Sequence, residues 1–134
     1  MIEQKSDIRN QKLSKNSKLE VKYRAFYLSI SIIKFLGALE KENYIRIISD
    51  QLIRCVTSIG ANIVEAKASS SKKEFLNYFQ IALKSANETN YWLAMLKELL
   101  PTRRSELDNF INEVTEISKI VGTSILTMKG RRSL

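Results

Sequence analysis

Histidine is absent from the 134 residues. Its absence removes the commonest general base and the commonest transition-metal ligand, so di-iron bundles built on Glu-x-x-His and helical RNases of the Arg-x-His type are excluded. Cysteine occurs once, at Cys55, which excludes an internal disulfide. Its neighbours Leu52, Ile53, Val56 and Ile59 mark it as a buried structural thiol. Only four glycines and one proline occur, and they are far apart, leaving long stretches free for helix. No window reaches the roughly 18 uncharged apolar residues of a membrane span. The charged amino-terminal segment also lacks the apolar centre of a secretion signal, which predicts a cytoplasmic protein.

What the chain does contain is 44% hydrophobic residues, enough at this length for the core of one domain. Residues 1–17, rich in Lys, Gln, Asn and Ser, bury too little to offset the entropy of ordering and read as a flexible polar arm. Residues 18–130 read as helical, and 131–134 as a short basic tail.

Apolar residues recur at helical spacing in four blocks. Ala25, Leu28, Ile32, Phe35 and Leu39 alternate steps of three and four, predicting a helix over 18–40. Beside them Phe26, Ile30, Ile33 and Gly37 form a second row, wider than one packing seam needs. Asn43 is placed to cap a helix over 43–68 with the core row Ile45, Ile48, Leu52, Val56, Ile59 and Ile63. Ser71 and Glu74 have capping-box spacing and open a helix over 72–100 that ends before Pro101. This third helix also carries two rows: Phe79, Ala82, Ala86, Leu93, Leu96 and Leu100, and alongside them Tyr78, Ile81, Trp92, Met95 and Leu99. Thr102 or Ser105 is placed to cap a fourth helix over 103–129, with Leu107, Phe110, Val114, Ile117, Val121, Ile125 and Met128 inside and Gly130 as its stop. Short connections force neighbours to run antiparallel, so the expected fold is an all-α, up-down-up-down four-helix bundle.

Several polar residues interrupt the apolar rows. Ser58, Asn62 and Glu65 share one face of helix two, and Ser85 and Glu88 lie in the second row of helix three. Folding about the serine turn brings the latter near Gln51 and Arg54, with Glu88 and Arg54 as an ion pair. These seven residues read as a buried network that fixes helix register, because a half-buried carboxylate without a cation is costly. The alternative is a ligand or partner pocket lined by Asn62, Glu65 and Glu88.

The run Gln51-Leu52-Ile53-Arg54 followed by Ser58-Ile59-Gly60-Ala61-Asn62-Ile63-Val64-Glu65-Ala66 resembles the Q-L-x-R and S-I-P-A-N-I-A-E-G signature of a bacterial four-helix-bundle family. The family is named for the 23S rRNA intervening sequences that encode some of its members. Lys73-Glu74-Phe75, Ile81-Ala82 and Ser85 to Glu88 continue the likeness, which covers roughly residues 20 to 128. Gly60 stands where the family usually has proline and Ala66 where it usually has glycine, predicting an altered bend in helix two. The resemblance implies a ring-like homopentamer and kinship with the accessory subunits of diversity-generating retroelements, which bind nucleic acid without a catalytic site.

Twenty-two Lys and Arg against 14 Asp and Glu give a net charge of +8, which attracts polyanions. Lys22, Arg24, Lys72, Lys73, Arg103, Arg104, Lys129, Arg131 and Arg132, near helix ends, are the candidate contacts to RNA, DNA or a nucleic-acid enzyme. Tyr23, Phe26, Tyr27 and Trp92 fall at helical spacing and serve as core or interface rather than base-stacking platforms. The alternative is a protein-only scaffold whose wide apolar faces on helices one and three form the oligomer. Glu113 and Glu116 make one Glu-x-x-Glu pair on an exposed face, too few carboxylates for a magnesium-dependent bundle enzyme. No cofactor, metal or catalytic residue is expected.

Overall fold

The computed structural model describes residues 19–132, with side chains through residue 130. The expected arm over 1–17 lies outside the described residues, as does the end of the expected tail at 133–134.

Four helices follow one another: α1 Val21–Gly37, α2 Asn43–Ala68, α3 Lys72–Leu99 and α4 Arg104–Arg132, with a 3-10 turn Pro101–Arg103 leading into the last. Each packs on its neighbours in the order α1–α2–α3–α4–α1, most extensively α2 on α3 and least α1 on α4. Contacts along the seams show the directions. Ser85 bonds Ser58 across α2 and α3, whereas Asn90 bonds Thr115 and Lys97 pairs with Asp108 across α3 and α4. As one number rises its partner falls, which is antiparallel packing. Ser29 Oγ donates to the Val56 carbonyl, joining α1 to α2.

The core is the set of primary rows. Leu28, Ile32, Leu52, Val56, Ile59, Ile63, Phe79, Leu93, Leu96, Leu107 and Ile117 are fully buried. Phe35 meets Phe110 edge to face at 5.4 Å, and Phe75 lies 4.4 Å from Phe79. The second rows behave differently. On α1, Phe26, Ile30 and Ile33 are exposed; on α3, Tyr78, Trp92 and Met95 are half-buried while Ile81 and Leu99 face outward.

The helix ends depart from the expected caps. Residue 43 is already helical, and the capping position falls to Glu42, which makes no side-chain bond. α1 is shorter than 18–40 at both ends. Gly130 does not stop α4, which runs on to Arg132, so Arg131 and Arg132 continue a helix instead of forming a tail; its backbone φ is not positive, and a helical glycine is tolerated at modest cost. The serine turn matches its signal: Ser71 Oγ accepts from the Glu74 amide at 3.1 Å, and Glu74 reaches back to the Ser70 amide at 3.4 Å. α2 is continuous through Gly60. A Cβ placed there would lie 3.4 Å from the Ala25 Cβ, so these two small residues let α1 and α2 approach closely.

Candidate nucleic-acid interface

The nine basic candidates do not form one patch. Antiparallel packing sends the start of α1, the α2–α3 turn and the end of α4 to one end of the bundle, and the α1–α2 connection and the 3-10 turn to the other. Lys22, Lys72, Lys73 and Lys129 therefore share the first end, with the Arg131 and Arg132 backbones, while Arg103 and Arg104 sit at the second. α4 alone is about 43 Å long at the standard helical rise, so the two groups are remote from each other.

Local partners separate the candidates further. Arg24 is not a surface cation: it is buried, and its guanidinium makes a two-pronged pair with Glu113 of α4, Nε to Oε2 at 3.1 Å and Nη2 to Oε1 at 2.7 Å. Position 24 falls one turn before Leu28 on the inward face, so the cation is drawn into the α1–α4 seam and must bring a carboxylate with it. Glu113 correspondingly leaves the exposed Glu-x-x-Glu face; only Glu116 stays on it. Arg103 is held by Glu106 at 2.6 Å and stacks over the Phe35 ring at 4.9 Å. The Glu106 hydrogen bond raises its already high pKa further. Arg104 approaches Glu98 at 3.5 Å, and Lys22 approaches Glu20 at 3.9 Å.

Lys73 and Lys129 meet across a groove of about 550 Å³ between the first turns of α3 and the last of α4, with Ser71, Glu74, Asn77 and Gln80 along it. Lys72, Lys73 and Lys129 have no ion-pair partner among the described residues. The groove thus offers uncommitted ammonium groups beside amide side chains, a donor set suited to phosphate oxygens.

The expected buried network is smaller than seven residues. Ser58, Asn62 and Ser85 are half-buried and linked: Asn62 Nδ2 donates to the Ser58 carbonyl at 2.8 Å and to Ser58 Oγ at 3.0 Å, and Ser85 Oγ donates to Ser58 Oγ at 2.9 Å. Gln51, Arg54, Glu65 and Glu88 are exposed. No Arg54–Glu88 ion pair forms among the described residues; with both heads in water the Coulomb gain is small and side-chain entropy opposes it. Gln51, Arg54, Ser58, Ser85 and Glu88 do share one cleft of about 270 Å³ with Lys84 between α2 and α3. Glu65 instead edges an apolar groove of about 450 Å³ between α1 and α2, floored by Phe26, Ile30, Ile33, Ala61 and Val64.

Cys55 is buried, and burial together with the nearby Glu88 carboxylate pushes its thiol from 9.0 to about 11, against a lowering hydrogen bond from Thr89. The expected consequence is slow alkylation by iodoacetamide near neutral pH until urea unfolds the chain; rapid labelling of the folded protein would contradict the burial. Because the folded thiol holds its proton more tightly, its contribution to stability is intact below pH 9.0 and is lost as pH rises through about 11.

Among the described residues no group of three or more Cys, Asp and Glu side chains is placed to hold a metal ion, and no helix is long and apolar enough to cross a membrane. Fold and site define an all-α four-helix-bundle protein with a basic end and a separate apolar groove. The model of the 23S rRNA-intervening sequence protein family matches residues 17–123, and the chain belongs to that family. A crystal structure of a protein of unknown function from the S23 ribosomal protein family of Bacteroides thetaiotaomicron VPI-5482 is similar to it. That protein is 37% identical, with a TM-score of 0.73, the alignment covering 79% of this chain and 98% of the other. No curated protein matches the chain.

Proposed function

We propose that this protein is a non-catalytic cytoplasmic adapter that binds nucleic acid, or a nucleoprotein, through the basic end where α3 begins and α4 finishes. The observation that carries the reading is the meeting of Lys73 and Lys129, with Lys72 beside them, all without an ion-pair partner among the described residues, in a groove lined by Glu74, Asn77 and Gln80. The net charge of +8 supports it, as does membership of a family named for an rRNA insertion. Self-association through the apolar α1–α2 groove, as the homopentamer that the family resemblance implies, would repeat the patch around a ring and turn weak single contacts into avidity.

An RNA and DNA shift titration at two salt concentrations tests this. Changing Lys72, Lys73 and Lys129 together to Ala is expected to abolish most binding and to lower the salt slope by about 3, one for each phosphate contact. Changing Arg103 and Arg104 to Ala is expected to do much less, since both are already engaged by carboxylates. Failure of the unaltered chain to shift either nucleic acid at low salt sinks the proposal. A protein-only scaffold is the second reading; the exposed Phe26–Ile30–Ile33 stripe favours it, and it predicts partner capture that is indifferent to nuclease treatment.

A further inference from the structure

The geometry points to a second phosphate-binding subsite, the cleft between α2 and α3 walled by Arg54 and Lys84 and floored by the Ser58–Ser85 hydroxyl pair, which extends the basic end along α3. This inference rests on the nucleic-acid reading and deepens it.

Three observations support it. Arg54 and Lys84 line one cleft of about 270 Å³, and neither has an ion-pair partner among the described residues. Two cations facing the same space repel each other, with the Glu88 carboxylate as the one anion of the lining to offset them, and an oxyanion between them removes the repulsion that is left.

The cleft floor has a hydrogen-bond function left over. Ser58 Oγ accepts from both Asn62 Nδ2 and Ser85 Oγ. Both lone pairs are then occupied, and the Ser58 hydroxyl proton is a donor not consumed by those two bonds. Reversing the bond between the two serines only moves that free proton to Ser85. Asn62 cannot turn to take it, because its Nδ2 is fixed as a donor by the Ser58 carbonyl at 2.8 Å. A hydroxyl donor in a cleft that an arginine and a lysine also line matches the acceptor-only oxygens of a phosphodiester.

The third observation is placement. Lys73, Asn77, Gln80 and Lys84 follow one another at steps of four, three and four on α3, and all four are exposed. They form one row from the basic end to the cleft. Lys73 and Lys84 are about 17 Å apart along the helix at the standard rise, a distance that takes in several successive phosphates of one duplex strand. No aromatic side chain interrupts the row between them, so it offers the backbone cations and amides rather than stacking surfaces for unpaired bases. The ligand class is a duplex sugar-phosphate backbone held without regard to base sequence.

Glu88 also lines the cleft and opposes an anion there. It gives the subsite a signature of opposite sign. Anisotropy of a labelled RNA duplex longer than the row is followed at about 50 and 200 mM salt with the full chain. Arg54→Ala with Lys84→Ala is expected to weaken binding about tenfold at the lower salt and to reduce the salt slope by about 2, whereas Glu88→Gln is expected to tighten it. All three side chains are exposed, and circular dichroism checks that the variants keep the fold. A parallel amide NMR titration with inorganic phosphate and with the duplex, read at Ser58 and Ser85, distinguishes the two phosphate sources. Shifts with phosphate alone, without any with the duplex, overturn the assignment. So does unchanged affinity and slope in the Arg54/Lys84 variant while Lys73→Ala with Lys129→Ala still weakens binding, a result that leaves the adapter reading standing. No binding by the unaltered chain overturns both.

Discussion

Arg24→Ala is expected to cost about 3–5 kcal/mol of unfolding free energy, a large part of what a domain of this size possesses. The side chains of Arg24 and Glu113 are 7% and 11% exposed, so neither head is hydrated well enough to stand alone. Truncating the arginine leaves the Glu113 carboxylate in the α1–α4 seam without its two-pronged cation, and water has little room to replace it. The loss lies mainly in a buried carboxylate deprived of its cation, not in the worth of the pair itself. Replacing both residues with apolar ones of similar volume, Arg24→Met with Glu113→Leu, is therefore expected to recover most of the stability. Urea unfolding of the two single variants and the double variant measures this directly. A single substitution costing less than about 1 kcal/mol would show that the seam is wetter than its burial implies.

Phe26→Glu combined with Ile30→Glu is expected to break the proposed assembly into single chains, seen as a fall in mass by light scattering. Phe26 is 57% exposed, Ile30 37%, Ile33 38% and Val64, across the groove on α2, 53%. Full burial of such a side chain contributes about 1.5–3 kcal/mol, so covering the exposed parts of four supplies substantial driving force for association. Two carboxylates in that contact reverse the sign, since an unpaired charge buried between copies is strongly unfavourable. The bundle itself should be undisturbed, because neither side chain belongs to the intramolecular core, and unchanged helicity is the control. An unaltered chain that runs as a monomer at micromolar concentration would refute the assembly.

The same residues show what could be read from sequence. The primary rows from Ala25 to Ile125 are the core as their spacing indicates, because burial of a helical stripe leaves a strict period. Arg24 and Glu113 are drawn inside although their residue types suggest surface charges, and the sequence does carry a signal: each continues an inward stripe, Arg24 before Leu28 and Glu113 between Phe110 and Ile117. A charge at a stripe position on each of two helices is a candidate pair, but one sequence does not say which partners meet. The grouping of Arg54, Ser58, Ser85 and Glu88 followed from antiparallel folding about Ser69–Ser71, whereas the absence of an Arg54–Glu88 contact depends on rotamers and solvation that no spacing encodes. Helix ends were the least legible, since Glu42 caps α2 with no side-chain bond and Gly130 is carried inside α4.

The division of the cations between the two ends bears on the geometry of assembly. Lysines Lys72, Lys73 and Lys129 mark one end, and Arg103 and Arg104 the other. Stacking copies head to tail would set the lysine end against an end where Arg103 and Arg104 are already paired with Glu106 and Glu98 and where Glu40 and Glu42 are exposed. The apolar groove, by contrast, lies on the flank, where α1 and α2 run side by side. Charge therefore does not forbid axial contact, and the self-association proposed above would run sideways through that flank, giving a closed particle if the rotation relating neighbouring copies returns the last to the first.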